Sequence, residues 1–143
     1  MYKLFVFLRS DLESMTPGKA AAQVAHAASQ AAFFLRENPE FNKWEYSAAD
    51  HMAADGGFAP DCYKGFGTTI VLDAGSLSEL PESLWFDVTA KGRVTDPSYP
   101  LKDGKKTHLL DIDTCWWIFD DPDLNFQLER YLKGFKLYNG NHD

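Results

Sequence analysis

The feature that most limits the fold is an uninterrupted apolar run near the start of the chain. Residues 2–9 are rich in β-prone side chains, and apolar positions fall on both faces of the predicted strand. Strands that are buried on both faces lie inside a sheet that other elements cover on both sides. This segment therefore predicts a central strand in an α/β domain.

A helix with clear start and stop signals follows this strand. Thr16 can accept a hydrogen bond from an unpaired amide at the helix start, and Pro17 suits the first turn because it lacks an amide hydrogen. An alanine-rich stretch then favours helix to about Glu37, and Asn38-Pro39 ends it. The strand and the capped helix together are the first half of a β-α-β unit.

Polar side chains form one stripe on this helix. At about 100° per residue, Lys19, Gln23, His26 and Gln30 fall within about 60° of arc. Such a stripe is usually a solvent-exposed face. Here it lacks the Glu/Lys mixture of a solvated helix and begins at a helix N-terminus, where free amides attract anions. A lysine in the first turn is unfavourable for the helix dipole, which suggests an anionic ligand and favours a site wall.

Further helices and strands alternate along the rest of the chain, so we expect one α/β domain over residues 1–143. Residues 96–100 are typical of a turn-rich loop, and residues 50–66 of an inserted surface loop. The other predicted elements are helices at 40–49 and 76–86, strands at 68–72, 93–95 and 107–113, and a final helix capped by Asp121.

The charge is distributed unevenly. The net charge is −7, from 21 acidic and 14 basic residues, which disfavours a nucleic-acid partner because phosphate contacts need Lys and Arg. Residues 91–106, however, hold five basic and two acidic residues, whereas residues 111–123 hold five acidic residues and no basic one. We therefore expect a polarised surface, with the acidic segment forming a solvated face.

The cysteine pattern argues against a disulfide framework and against a metal site. Cys62 and Cys115 have no closely spaced partner, which is typical of a reducing cytoplasm. Cys62 and His51 match no zinc spacing, so neither a metal nor another cofactor is expected. Cys115 is expected to be a buried structural thiol, and the adjoining Trp116-Trp117 to pack in the core rather than stack on bases. No apolar run is long enough to cross a membrane.

A specific resemblance comes from the helix and the strand before it. Residues 18–27 read GKAAAQVAHA, after a strand that ends Arg9-Ser10-Asp11-Leu12. This pattern closely resembles the signature of the type II peptidyl-tRNA hydrolases, GK-x-AAQ-x-x-HA after R-x-D-L. The resemblance is strong over residues 2–36 and weaker over the rest of the chain. It implies an α/β fold with a mixed four-stranded sheet and helices on both faces.

The resemblance also implies an activity, a partner and a site. It implies a metal-independent esterase that cleaves the bond between a peptide and the 3′ ribose of tRNA, and it makes a homodimer reasonable. The family's catalytic residues map onto Lys19, Gln23, His26 and Asp96, and Thr107 matches a family threonine near the last strand. Expected substrate contacts are Thr16, Gly18, Gln30, Lys91, Arg93, Lys102, Lys105 and Lys106.

These residue types suit ester hydrolysis. The reaction needs a positioned water, a group that takes its proton and a positive charge for the developing oxyanion. Asp96 could orient or deprotonate the water, and Lys19 could stabilise the oxyanion or hold a phosphate. The family's Asp-Ala-Gly-x-Thr turn reads Asp96-Pro97-Ser98-Tyr99-Pro100 here. Two alternatives therefore stay open: an RNA- or protein-binding module without turnover, and a hydrolase of another ester or amide.

Overall fold

The structure is a computed structural model, and it describes residues 1–54, 66–76 and 84–140. Residues 55–65 of the predicted insertion at 50–66, and residues 77–83 of the predicted helix at 76–86, lie outside this range. Residues 50–54 of the predicted loop are helical instead. The described elements, in chain order, are β1 (Lys3–Leu8), α1 (Pro17–Phe34), α2 (Pro39–Ala54), β2 (Thr69–Asp73), β3 (Ala90–Asp103), β4 (Lys106–Asp120) and α3 (Phe126–Leu132).

The four strands form one mixed sheet in the order β2-β1-β4-β3. β1 is a central strand, as its sequence predicts, parallel to β2 and antiparallel to β4. Within β1, Val6 lies opposite Val71 on one side and Trp117 on the other. The prediction of an α/β domain with a mixed four-stranded sheet is therefore confirmed.

Helices cover both faces of the sheet, which is also confirmed. On one face, α1 packs its small side chains Ala27 and Ala31 into a core that includes Val6 and Trp117. On the other face, Leu128 of α3 packs into a second core cluster. The aromatic side chains of residues 116–119 are buried in these two cores, as predicted, and are not available to stack on bases.

One very close contact fixes β3 against β4. Gly92 lies opposite Trp117, and a Cβ added to Gly92 would stand only 2.5 Å from the indole ring. The ring cannot easily move, because it is fully buried and its Nε1 donates a hydrogen bond of 2.7 Å to Oε1 of Gln30. Glycine is therefore required at this position for lack of space.

We expect Gly92→Ala to lower the free energy of unfolding by about 1–3 kcal/mol, the usual cost of overpacking a core. Urea denaturation measured by tryptophan fluorescence would detect this loss. Gly18→Ala is the matched control, since nothing lies within 4 Å of a Cβ built at Gly18. Equal stability of the two variants would show that Trp117 does not press against the backbone of β3.

The prediction of a loop at residues 96–100 is wrong, because this segment belongs to β3. The strand continues to Asp103 and pairs with β4 along this length, with an irregularity between Asp96 and Tyr99. Prolines are tolerated in an edge strand, where a missing amide hydrogen breaks no pairing within the sheet, and β3 is the edge. The β3–β4 hairpin thus extends beyond the sheet and turns at Gly104, whose φ is 61°.

For the acidic segment, the predicted helix cap is wrong, and the predicted solvated face holds for Asp111 and Asp123 but not for Asp120 and Asp121. The final helix begins at Phe126 and is capped by Asn125, not by Asp121. Asp120 and Asp121 are each only 7% exposed, so they do not form a solvated face. Buried carboxylates need hydrogen-bond partners, and Asp120 accepts hydrogen bonds from Thr89 and Asn125.

Candidate active site

A bulge in β4 brings two neighbouring side chains to the same face of the sheet. Val94 pairs with Cys115 and Thr95 with Asp113, so Thr114 is the extra residue on β4. An extra residue shifts the alternation of side chains along a strand. Thr114 and Cys115 consequently both bond to Gln23 of α1.

Gln23 is the centre of a buried polar cluster. Its side chain is only 3% exposed, although it belongs to the predicted polar stripe of α1. Oε1 accepts a hydrogen bond of 2.6 Å from Thr114 Oγ1, and Nε2 donates one of 2.7 Å to Asp96 Oδ2. Because the acceptor and the donor end both have a partner, the amide is fixed in one orientation. The structure thus joins α1, β3 and β4 at this residue.

The hydrogen bonds and charges around Asp96 favour its ionised form. Its Oδ1 accepts a hydrogen bond of 2.9 Å from the Ser98 amide. Partial burial raises the pKa of Asp96, but the Ser98 amide, the Gln23 amide and the charge of His26 outweigh burial and lower the pKa below its ordinary value. Each oxygen of an ionised carboxylate can accept more than one hydrogen bond. Asp96 can therefore also accept a hydrogen bond from water.

Lys19 and His26 lie about one turn of α1 on either side of Gln23. Lys19 Nζ stands 5.5 Å from the centroid of the Tyr99 ring, and Tyr99 follows Asp96 closely on β3. The exposed His26 is near enough to Asp96 for its charge to lower the pKa of that carboxyl. The structure therefore brings together all four of these residues between α1 and β3.

Thr107 does not lie in this cluster. It is exposed and pairs with Lys102 near the hairpin tip, whereas Asp96 pairs with Ile112. Five residues of strand, roughly 17 Å, separate Thr107 from Ile112. The threonine that reaches Gln23 is Thr114, which the sequence alone does not single out. The only signal for it was a hydroxyl side chain directly before the apolar residues 115–119.

Three of the expected substrate contacts lie on α1 or at its N-cap, and two of them have internal partners. The Thr16 hydroxyl accepts a hydrogen bond from the Lys19 amide at 3.3 Å and so caps the helix, as predicted. Gln30 Oε1 accepts the indole hydrogen bond of Trp117. Gly18, in contrast, is exposed with open space beside it, so a ligand can approach the backbone there.

The expected basic contacts divide into two groups. Gly92 faces Trp117 on the α1 side of the sheet, so its neighbours Lys91 and Arg93 face the other side. The Arg93 guanidinium accordingly lies 5.6 Å from the centroid of the Trp116 ring. Lys91 and Arg93 are thus not on the face of the Gln23 cluster. The second group lies near the tip of the hairpin and consists of Lys102, Lys105 and Lys106.

Arg9 and Asp11, the R-x-D residues of the signature, stabilise the loop beside the cluster. Arg9 donates two hydrogen bonds to the Asp11 carboxylate, at 2.6 and 2.8 Å, and one of 3.1 Å to the carbonyl of Asp113. The side-chain hydrogen bonds from Arg9 lower the pKa of Asp11 against the opposing effect of burial. The Arg9 amide also donates to the Thr114 carbonyl at 3.1 Å. These bonds hold the end of β1 against the bulge in β4.

The cysteine within the described residues, Cys115, is not a candidate nucleophile. Burial raises the pKa of the Cys115 thiol to about 12, so it stays protonated and is a poor nucleophile. The described residues contain no group of three or more side chains that could hold a metal ion. Cys62 lies outside the described range. None of the helices described here is long and apolar enough to cross a membrane.

The fold and the cluster define an α/β protein with an ionised carboxylate, a lysine and a buried amide at one helix face, a set of groups suited to hydrolysis. Residues 2–55 match the family described as Peptidyl-tRNA hydrolase PTH2. The chain is also 34% identical over 107 residues to a peptidyl-tRNA hydrolase of Staphylothermus marinus, which covers 68% of this chain and 84% of that protein. The chain therefore belongs to the PTH2 family of peptidyl-tRNA hydrolases. No solved structure shows a significant match to it.

Proposed function

We propose that this chain, a peptidyl-tRNA hydrolase by family, cleaves its substrate at the cluster of Lys19, Gln23, His26, Asp96 and Thr114. The products are free tRNA and free peptide. The observation that carries the proposal is the buried Gln23 side chain, which is bonded to Thr114 at one end and to Asp96 at the other. Buried polar networks with every member satisfied hold side chains in one geometry, which is what a catalytic carboxylate needs.

Asp96 positions the attacking water. Its lowered pKa keeps it ionised at neutral pH, so it accepts a hydrogen bond from the water and aims the water oxygen at the ester carbonyl carbon. A weak base suffices, because the water proton becomes strongly acidic as the new C–O bond forms. Asp96 takes that proton, and the proton then passes to the departing 3′ oxygen of the ribose. Gln23 keeps the carboxylate in place throughout.

Lys19 stabilises the negative charge that develops on the carbonyl oxygen. A fixed ammonium group in a partly buried site is worth more to a developing oxyanion than to the neutral ester. Lys19 is half-buried against Tyr99 on the same side of the sheet as Asp96. His26 is exposed at the edge of the cluster, and we assign it to positioning the terminal ribose. No metal or cofactor is needed for these steps.

We assign Lys105 and Lys106 to the phosphate backbone of tRNA. Lys105 lies in the hairpin turn, and Lys106 begins β4, eight residues of strand and roughly 26 Å from Thr114. That length matches a few nucleotides of single strand between the ester and the acceptor stem. The basic tip also accounts for RNA binding by a chain whose net charge is −7.

We expect the double variant Lys105→Ala/Lys106→Ala to raise KM for peptidyl-tRNA several-fold and to leave kcat unchanged. The slope of log KM against log salt should become shallower by about 1–2, because two phosphate contacts are lost. Steady-state kinetics between low and moderate salt would measure both effects. Lys43→Ala with Lys133→Ala is the matched control. An unchanged salt slope would show that Lys105 and Lys106 do not contact RNA phosphates.

We expect Thr114→Val to lower kcat about tenfold, since Gln23 loses the partner that fixes its amide. Thr107→Val is the informative comparison, because the sequence resemblance favours Thr107 and the cluster contains Thr114 instead. Initial rates with peptidyl-tRNA, together with thermal melting of both variants, would separate the two. If only Thr107→Val lowered the rate of cleavage, the catalytic site would lie on the hairpin, and the proposal would be contradicted.

We also propose a location, a domain organisation and an oligomeric state for the protein. We place the protein in the cytoplasm, where peptidyl-tRNA arises during translation. We treat residues 1–143 as one domain with an insertion near residues 50–66. A homodimer is the oligomeric state that the family resemblance favours, and sedimentation equilibrium would test it.

A further inference from the structure

A groove runs between the β1–α1 loop (residues 9–16) and one side of the β3–β4 hairpin. It consists of two adjoining cavities of about 540 and 390 Å³, which share Leu12 and Leu101 as lining residues. Ile112 adds a third apolar side chain to the lining. Cavities of this size accommodate small organic ligands and short peptides.

The groove adjoins the Gln23 cluster. Ile112 of its lining pairs with Asp96 across the β3–β4 hairpin. At the other end, Ser14 Oγ donates a hydrogen bond of 3.3 Å to the hydroxyl of Tyr99, the residue whose ring faces Lys19. A substrate held at the cluster therefore has one of its halves next to this groove.

The charge of the groove indicates whether the peptide half or the tRNA half of the substrate lies next to it. Its lining includes four carboxylates, Asp11, Glu13, Asp111 and Asp113. Two of the four are already paired with a cation: Asp11 with Arg9, and Asp113 with Arg93 at 3.4 Å. The exposed carboxylates of Glu13 and Asp111 therefore give the groove its negative charge, which disfavours RNA phosphates, while Lys105 and Lys106 lie at the hairpin turn.

We propose that this groove holds the peptide half of peptidyl-tRNA and that its carboxylates favour peptides with cationic side chains. The proposal rests on the catalytic cluster described above. The apolar residues Leu12, Leu101 and Ile112 contact the peptide, and the exposed carboxylates of Glu13 and Asp111 attract a positive charge on the residue before the esterified one. The two halves of the substrate are thereby sorted by charge, with peptide in the groove and phosphates at the hairpin tip.

The test uses three substrates on the same tRNA, each with the same esterified residue and with Lys, Gln or Glu before it. We expect the wild type to cleave the Lys substrate with a kcat/KM about five times that of the Glu substrate at low salt, with Gln between them. This preference should shrink in 0.5 M salt, since exposed charges are screened. Glu13→Lys/Asp111→Lys should invert the order, and Glu13→Gln/Asp111→Asn should abolish it.

Glu37→Lys/Asp87→Lys makes the same change in net charge on exposed residues outside the groove and should keep the wild-type order. Thermal melting of each variant confirms that the fold is retained. An order that is unchanged by the groove variants would overturn the proposal. A uniform change in KM for all three substrates, with an altered salt slope, would assign the groove to RNA and also overturn it. Absence of turnover by the wild type with every substrate would instead contradict the catalytic cluster.

Discussion

Asp96→Asn is expected to lower kcat for peptidyl-tRNA hydrolysis by about 10²–10⁴-fold, the usual contribution of a positioned acid–base group. An asparagine cannot take a proton from the attacking water. Its amide also cannot accept from both the Ser98 amide and the Gln23 amide, since one of its two ends is a donor. Single-turnover cleavage at saturating enzyme would measure the chemical step directly.

Binding and pH serve as controls for this variant. The affinity for uncharged tRNA should change little, because the phosphate contacts lie elsewhere, and Asp87→Asn on the surface should retain full activity. In the wild type, the pKa of Asp96 is lowered from its ordinary acidic value, so the active anion persists in mildly acidic solution and kcat/KM should show no acid limb between pH 5 and 7 from this group. Activity of Asp96→Asn within tenfold of the wild type would rule out Asp96 as the group that positions the water.

Lys19→Met is expected to lower kcat by about 10²–10³-fold, which is typical for removal of one group that stabilises an oxyanion. Methionine has a similar length and keeps the apolar contact with Tyr99, so the loss reports on charge. Rapid-quench kinetics would measure kcat and KM separately. Lys43→Met, on the exposed face of α2, removes the same charge from an ion pair of little energetic value and is the control.

The split between kcat and KM distinguishes two roles for Lys19. An oxyanion contact exists only in the transition state, so its removal lowers kcat and kcat/KM equally. A phosphate contact exists in the bound substrate as well, so its removal would raise KM with kcat unchanged. That second pattern would transfer Lys19 from catalysis to tRNA binding. Lys19→Arg should restore part of kcat in the first case.

Local sequence was sufficient to predict the elements that carry one half of the site. The apolar run of β1 and the Thr16-Pro17 start of α1 are local signals, and both are confirmed. The polar stripe of α1 was identified, although its members differ in environment: Gln23 is buried and bonded, while His26 is exposed. The periodicity of a helix sequence predicts which face a side chain lies on, but it does not predict which residue forms a hydrogen bond with that side chain.

The other half of the site depends on pairing between distant residues, which local sequence does not encode. Pro97 and Pro100 favour a turn locally, yet pairing with β4 along an edge strand overrides that preference. Thr114 reaches Gln23 only because a bulge shifts the alternation of β4. The resemblance placed this role on Thr107, seven residues earlier in the same strand, because the register of the hairpin could not be predicted.

The most direct measurement is the single-turnover rate of peptidyl-tRNA cleavage by the double variant Lys19→Met/Asp96→Asn, beside the wild type and both single variants. If the two residues act on one transition state, the double variant should be at least about 10³-fold slower than the wild type. Its fold-loss in rate should nevertheless be far smaller than the product of the fold-losses of the two single variants. A double variant that cleaves peptidyl-tRNA within tenfold of the wild-type rate would contradict catalysis at the Gln23 cluster.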